Sequence, residues 1–540
     1  MKASEAAALR ASLAAAALAE IPKLLTLQDR SPASPTYGCF DRAYWHYRKN
    51  DFPSGMSQEY VLPLALAWAL PMPCNPYHRQ PAIRAWVEAG IRFAARSGHA
   101  NGSCDDYYPF EQAAGATAFS LLACLDAAAL IGLDKDSEIN DFLGRRARWL
   151  ADHAESGRLS NHEALIVACL VRMAEREGAQ WEERLERRTE RLLSWQHAEG
   201  WFDEYGGADP GYLSLTIGLL ADADRRRPDL GLREPCRRAI HFLAALAHPD
   251  GTIGGEYTSR ATRNFFPHGL EIAGSWCAEA LALSSHLLHP LAEGRAPCFG
   301  DDYIVGHHLW SWMLAWQEWH ESRLEPIAPP AGRQRFAGAR LLVDARAGAT
   351  LYCGWSRGAA FRLYDADRLL TSDTGPTLAT ADGQVAVTHL EGPVEVAIGE
   401  NHLEVAGVMA WAKSARLTPA KSVILRLLML SFGRLWPDLV RRLLQRILVT
   451  GRRDAPFRFR RRIAWRDGGW DVVDEIQPQA SWRRVRKIWI GSYQTSVTTV
   501  MARVWQADQL EPWLDLTDRL PALGASDPLL VERRFEGTAP

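Results

Sequence analysis

Residues 203–212 read Asp203-Glu204-Tyr205-Gly206-Gly207-Ala208-Asp209-Pro210-Gly211-Tyr212. Three acids and two tyrosines share this stretch with Gly206, Gly207, Pro210 and Gly211, residues that turn the backbone or free it. The loop is too polar for a core and too aromatic for a plain solvated turn, so it reads as the lining of a cleft. It joins two amphipathic helical segments, and similar joins recur at 98–108, 155–162, 198–205 and 249–257, with 297–303 as a candidate fifth. Their glycines, Gly102, Gly157, Gly200, Gly251 and Gly300, return about every 50 residues, the length of one helical hairpin. A hairpin repeat buries its apolar face only by stacking on its neighbours. Five or six hairpins that curl round on themselves make an α/α toroid, with every recurrent join on one end of the ring.

The helical pattern, clear at 61–70, 113–131, 162–174 and 270–288, runs to about residue 325. The proline-rich run at 326–330 opens a linker, 326–335. Short alternating segments follow at 340–344, 349–355, 361–364, 394–398, 457–465, 470–476 and 487–490, the pattern of antiparallel strands. The fold class is therefore α+β and multidomain: a toroid over 1–325, an incomplete helical-hairpin barrel, followed by an antiparallel β-sandwich over 336–540. One segment breaks the strand pattern. A helical insertion at about 418–450 carries Arg426, Arg434, Arg441, Arg442 and Arg446 across 421–449, with Asp438 as its only acid. It reads either as a helix packed on the sandwich with solvated arginines or as a peripheral membrane contact.

Composition narrows the function. A formal net charge of −2 gives no general attraction to phosphate, so no nucleic-acid partner is expected. The 21 Trp and 14 Tyr supply aromatic faces of the kind that stack on sugar rings. Nine scattered cysteines, none in a Cys-x-x-Cys pair, suggest neither a zinc site nor a disulfide framework. The first residues are interrupted by Glu5 and Arg10 and read as an amphipathic helix, not a signal peptide. The expected location is cytoplasmic, with membrane association or a periplasmic setting as alternatives.

Candidate chemistry sits on the joins. Asn161 and His162 open a helix directly after one of them: His162 suits a general base and Asn161 a hydrogen-bond donor to a carboxylate, although an Asn there also makes an ordinary helix cap. Tyr205 and Tyr212, one join later, are candidates for proton transfer to and from a sugar oxygen. Arg260 and Arg263, with Tyr257 and His268, form a possible-by-spacing clamp for an acidic sugar, equally readable as arginines paired with Glu256 or Glu271. Asp106, Tyr107, Trp201 and Glu204 complete the candidate binding residues. The acid pairs Asp105-Asp106 and Asp301-Asp302 lack a histidine at fixed spacing, so no metal and no cofactor are expected.

A helical ring with Asn161-His162 on one join, tyrosines about 50 residues on and a following sandwich resembles the toroid polysaccharide lyases, the heparinase II/III-like and alginate lyase families. The opening Tyr37-Gly38-Cys39-Phe40-Asp41-Arg42-Ala43-Tyr44-Trp45, with Asp51-Phe52-Pro53, is similar to heparinase-like proteins of bacterial polysaccharide clusters. The resemblance implies β-elimination on a uronic-acid polysaccharide: Asn161 binds the carboxylate, His162 takes the C5 proton, and Tyr212 or Tyr205 protonates the leaving O4. It departs from the family at 361–375, where a histidine-bearing stretch is expected and none occurs; His389 and His402 are the available substitutes. Alternatives on the same residues are a uronosyl C5-epimerase, a glycoside hydrolase using Asp106 and Glu204, and a non-catalytic polysaccharide-binding or assembly protein.

Overall fold

The computed structural model describes the chain apart from residues 154, 156, 296, 328–329, 413–417, 438, 441–442, 444–451, 496–503 and 537–540. Six helices form an inner circuit: Val61–Ala69, Ala114–Ile131, Ser160–Glu177, Pro210–Arg226, His268–Ala273 and Leu309–Gln317. Each touches the next, and Leu309–Gln317 returns to Val61–Ala69. These helices are apolar nearly all round because both the outer layer and their inner neighbours cover them. Ala114–Ile131 is long and apolar enough to cross a membrane, but most of it is core. The outer layer, including Pro81–Ser97, Ser137–Asp152, Glu182–Leu193 and Arg233–Ala245, is amphipathic and polar outside. The first helix, Ala3–Leu27, packs on Ala278–Ala292 and Leu309–Gln317. Its start is tied to the toroid's end by the Met1 amino group on Glu325 (2.7 Å) and Arg10 on Glu321 (2.9 Å).

The recurrent joins behave alike at four positions. Gly102, Gly157, Gly200 and Gly251 all take positive φ, a backbone state that side chains disfavour. At Gly200 a Cβ would lie 2.3 Å from the carbonyl oxygen of Arg238, so the join is pressed directly onto the next helix. The fifth candidate is different. Gly300 is not among the positive-φ glycines, nothing lies within 4 Å of a Cβ there, and the segment holds a short strand, Cys298–Phe299, paired with Val504–Trp505. The reading of 270–288 as one helix is also corrected: His268–Ala273 and Ala278–Ala292 meet at a corner. Gly274 packs so closely on Leu281 there that a Cβ would lie 2.4 Å from its side chain.

The strands make two antiparallel sheets. Five of them, Gly332–Phe336, Leu341–Arg346, Ala349–Gly354, Ala360–Asp365 and Arg368–Asp373, lie in chain order. The first starts inside the stretch read as linker. The larger sheet runs Leu514–Asp515, Val485–Gly491, Gly375–Thr380, Val385–Val387, His402–Trp411, Asp454–Arg466, Gly469–Pro478, Leu529–Glu536, with Val394–Ile398 also on His402–Trp411. Ala349–Gly354 and Ala360–Asp365 are buried along their whole length. One face packs against the second sheet through Leu351, Cys353, Phe361 and Leu363; the other adds Tyr352, Ala360 and Tyr364 to the toroid core. The domains are joined by polar contacts as well: Tyr352 donates to the carbonyl of Ala247 (2.7 Å), and Glu199 accepts from the amides of Gly338 and Ala339 (2.9 and 3.0 Å).

Gly200→Ala is expected to cost about 1–3 kcal/mol in denaturant unfolding, whereas Gly300→Ala stays within about 0.5 kcal/mol. Equal effects would contradict the distinction between the joins.

Candidate active site

The joins at one end of the ring enclose a cleft of about 320 Å³. Asn161, His162, Glu204, Tyr205, Tyr212 and Arg260 all line it, as do Asp106 and Tyr107. Residues about 50 apart in sequence thus meet because each opens or precedes an inner helix.

Two buried carboxylates set this rim. Glu204 accepts from the Ser160 hydroxyl (2.9 Å) and from the Asn161 amide (3.3 Å), satisfying free N–H groups at the start of Ser160–Glu177 from the following join. Its pKa is raised by burial, against the lowering effect of His162, Asn161 and Ser160. Asp209 caps Pro210–Arg226 through the Tyr212 amide (3.0 Å). Its other oxygen accepts from the Thr258 hydroxyl and the amides of Arg260 and Thr262, at 3.2, 3.2 and 3.1 Å. Tyr212 and Arg260 are held side by side by this one group. Glu204 is therefore a positioning residue as well as a lining one. Asn161 is not a cap: Leu159 holds that position.

His162 inserts beside Gly115, where a Cβ would lie 2.4 Å from the ring. Its Nδ1 lies 2.8 Å from the carboxylate of Glu155. A carboxylate only accepts, so Nδ1 carries the proton and Nε2 keeps its lone pair. Burial lowers the His162 pKa, with Glu204 pulling it up and Arg260 pushing it further down. Burial pushes Tyr205 up to about 12, and raises Tyr212 further; Arg260 opposes both. The Arg260 guanidinium sits over the Tyr205 ring, 3.9 Å from its centroid, and its Nε has no hydrogen-bond partner among the described residues. Tyr205 holds this position at φ +57°, a strained backbone for a tyrosine. The buried Oδ1 of Asn161 is likewise unpartnered. The cleft therefore offers a neutral imidazole, protonated phenols and one cation.

Four expected binding residues lie elsewhere. Arg263 borders a separate small cavity with Gly251, Ile253 and Trp312, so the two arginines do not form a clamp. His268 is buried deep in the ring, bonded to Ser311 (2.7 Å), and lines a different pocket with Arg172 and Asp222. Tyr257 is buried at the domain interface, its hydroxyl 2.9 Å from His248 Nε2. Trp201 stacks on His197 and donates to Glu199 (2.9 Å), also at that interface. Alternation of turn and helix placed these residues near the joins, but which face they turn to depends on how the sandwich docks. Neither His389 nor His402 lines the cleft. Asp302 is used in an ion pair with Arg42 (2.9 Å).

The sequence reading missed His307. It lines the cleft just before Leu309–Gln317, and its Nδ1 lies 2.8 Å from the buried Glu59. The signal was available, since His307-His308 precedes an apolar segment after a candidate join. Asn50, Glu111 and Tyr303 line the cleft too. Among the described residues no three His, Cys, Asp or Glu side chains gather as a metal site.

No family model matches the chain, and no curated protein sequence matches it. Among solved structures it is similar to a Paenibacillus xanthan lyase, at TM-score 0.54 and 9% identity, over 97% of this chain and 56% of that one. It is also similar to the Streptomyces coelicolor A3 chondroitin AC lyase in complex with chondroitin sulphate, at TM-score 0.55 and 11% identity, over 89% of this chain and 68% of that one. The chain thus spans little more than half the length of the xanthan lyase.

Asp209→Ala is expected to lose at least about 1–3 kcal/mol, because it leaves buried amides unpaired on two joins. His268 titrates to about 4 in the fold because burial disfavours its charge, below the 6.5 of an unfolded histidine. The unfolded chain therefore binds a proton the native one refuses, and stability falls as pH drops from 6.5 towards 4. His268→Gln should flatten that dependence by up to about 1.4 kcal/mol per pH unit, read by denaturant unfolding across the range. These two structural neighbours are polysaccharide lyases, and the fold of this chain is theirs: an α/α toroid followed by an antiparallel sandwich.

Proposed function

We propose that the protein is a polysaccharide lyase that cleaves a uronic-acid-containing polymer by β-elimination. The observation that carries this reading is the meeting of His162, Tyr212 and Arg260, with Asn161, in one cleft. The named substrates of the two structural neighbours, xanthan and chondroitin sulphate, favour a polysaccharide, and the unpaired cation favours an acidic one.

The chemistry explains the grouping. A C5 proton beside a carboxylate leaves only when the growing negative charge on that carboxylate is stabilised. Arg260 supplies the charge. Asn161 supplies an amide as a second donor to that carboxylate. His162 Nε2 takes the proton, with Glu155 holding the tautomer and stabilising the imidazolium. Tyr212 or Tyr205, protonated at neutral pH, gives its proton to the departing O4. The C4–O4 bond breaks as the C4–C5 double bond forms, and the phenolate charge is held by Arg260 until a proton returns from His162 through solvent.

Against a panel of uronic-acid polymers, the wild type should generate the ultraviolet absorbance of an unsaturated uronate. His162→Ala and Tyr212→Phe should each lower turnover by about 10²–10⁴-fold with unchanged folding. Full activity in both would remove this site. C5 hydrogen exchange with no absorbance would assign an epimerase instead. Since burial lowers the His162 pKa, activity should hold as pH falls to 6.5 and decline only below it.

A further inference from the structure

We infer that the helical insertion in the sandwich is a docking surface for a membrane leaflet bearing anionic headgroups. The insertion runs through the helix Pro419–Leu428, a π turn at Met429–Gly433 and further helical residues at 434–435, 437 and 439–440. Arg441, Arg442 and Arg446 of the basic segment read from sequence lie outside the described residues. Half of the large apolar side chains that the described residues leave exposed fall between 423 and 443. Val423, Leu427, Leu430, Phe432, Leu435 and Trp436 are all more than half exposed, with Leu435 at 68%. Scattered apolar residues need no explanation, but a contiguous patch of this kind marks an interaction surface.

The opposite side of the insertion is occupied. Met429, Gly433 and Val440 are buried, Arg426 pairs with Asp51 (2.8 Å) and stacks over Phe52, and Arg434 lies over Phe110. These contacts fix the helix to the toroid, so the apolar side has nothing left in the chain to cover it among the described residues. Charge identifies the occupant. Lys421 is exposed, Arg434 stays exposed at the border where it lies over Phe110, and the sequence over 421–449 holds six basic residues, Lys421, Arg426, Arg434, Arg441, Arg442 and Arg446, against Asp438. A second copy paired through this segment would set two strongly basic stretches of sequence against each other, whereas anionic headgroups neutralise them. Phe432 and Trp436, stacked at 6.1 Å, are side chains suited to the boundary between headgroup and acyl chain.

The geometry has a consequence for the cleft. Asp51, Phe52 and Phe110, which hold the helix, adjoin Asn50 and Glu111 in the cleft lining. A docked molecule opens its cleft beside the bilayer surface. The docking itself does not depend on the chemistry inside.

The test is flotation of the full chain with vesicles of phosphatidylcholine alone or with about 30 mol% phosphatidylglycerol, where binding to the anionic vesicles should be about tenfold stronger and should weaken with salt. Leu427→Ser/Phe432→Ser/Trp436→Ser should reduce binding to the phosphatidylcholine background while circular dichroism and cleavage of a soluble polymer stay unchanged. Lys421→Gln/Arg434→Gln should remove most of the preference for phosphatidylglycerol. A wild type that stays with neither vesicle, or binds both equally, overturns the inference. So does a stable dimer that the triple variant dissolves without any vesicle binding, which would assign the face to a second copy.

Discussion

The arrangement of the cleft depends on carboxylates that are buried where two joins meet. Asp209 accepts from one join through Tyr212 and from the next through Thr258, Arg260 and Thr262. Glu204 does the same between its own join and the helix that begins with Ser160, Asn161 and His162. A buried carboxylate is stable only with donors around it, and the free N–H groups at helix starts are unsatisfied without acceptors. Each need meets the other. The ring brings the joins together; these two acids fix the spacing between them, so that imidazole, phenol and guanidinium face one volume.

The wider frame serves that rim from below and from the side. The inner helices close a circuit, with the first and last parts of the toroid tied by Arg10 and Glu321 and by the Met1 amino group. The deeper interior keeps its own charges paired: Arg323 meets Glu271 at 2.7 Å with both fully buried. In the sandwich, Arg461 and Arg533 share Asp373 and Asp474. Arg260, half-buried at the cleft, has an Nε with no acceptor among the described residues.

Much of this was legible in the chain. The glycine interval and the apolar periodicity point to the ring, and period-two alternation marks half of the sandwich strands to within a few residues, but not His402–Trp411 or Leu529–Glu536. The residues that open helices after a join, Asn161, His162 and Tyr212, fell at the cleft for the same reason. Tyr257, Trp201, Arg263 and His268 did not, because a periodic pattern says which residues lie near a join and not which of them the sandwich or the ring interior covers. Glu204 and Asp209 show a related limit: an acid in an aromatic loop looks like a ligand group until its donors are known. His307 follows the acids of Asp301-Asp302-Tyr303 and stands just before its helix, whereas His162 lies in the first turn of its own.

The most direct test of the central claim is the fate of the hydrogen at C5. A uronic-acid polymer carrying deuterium there should be cleaved more slowly than its protium counterpart, with the label lost to water and an unsaturated end formed. Cleavage at the same rate, with deuterium retained at C5 and a saturated product, would contradict elimination by the His162–Tyr212 site.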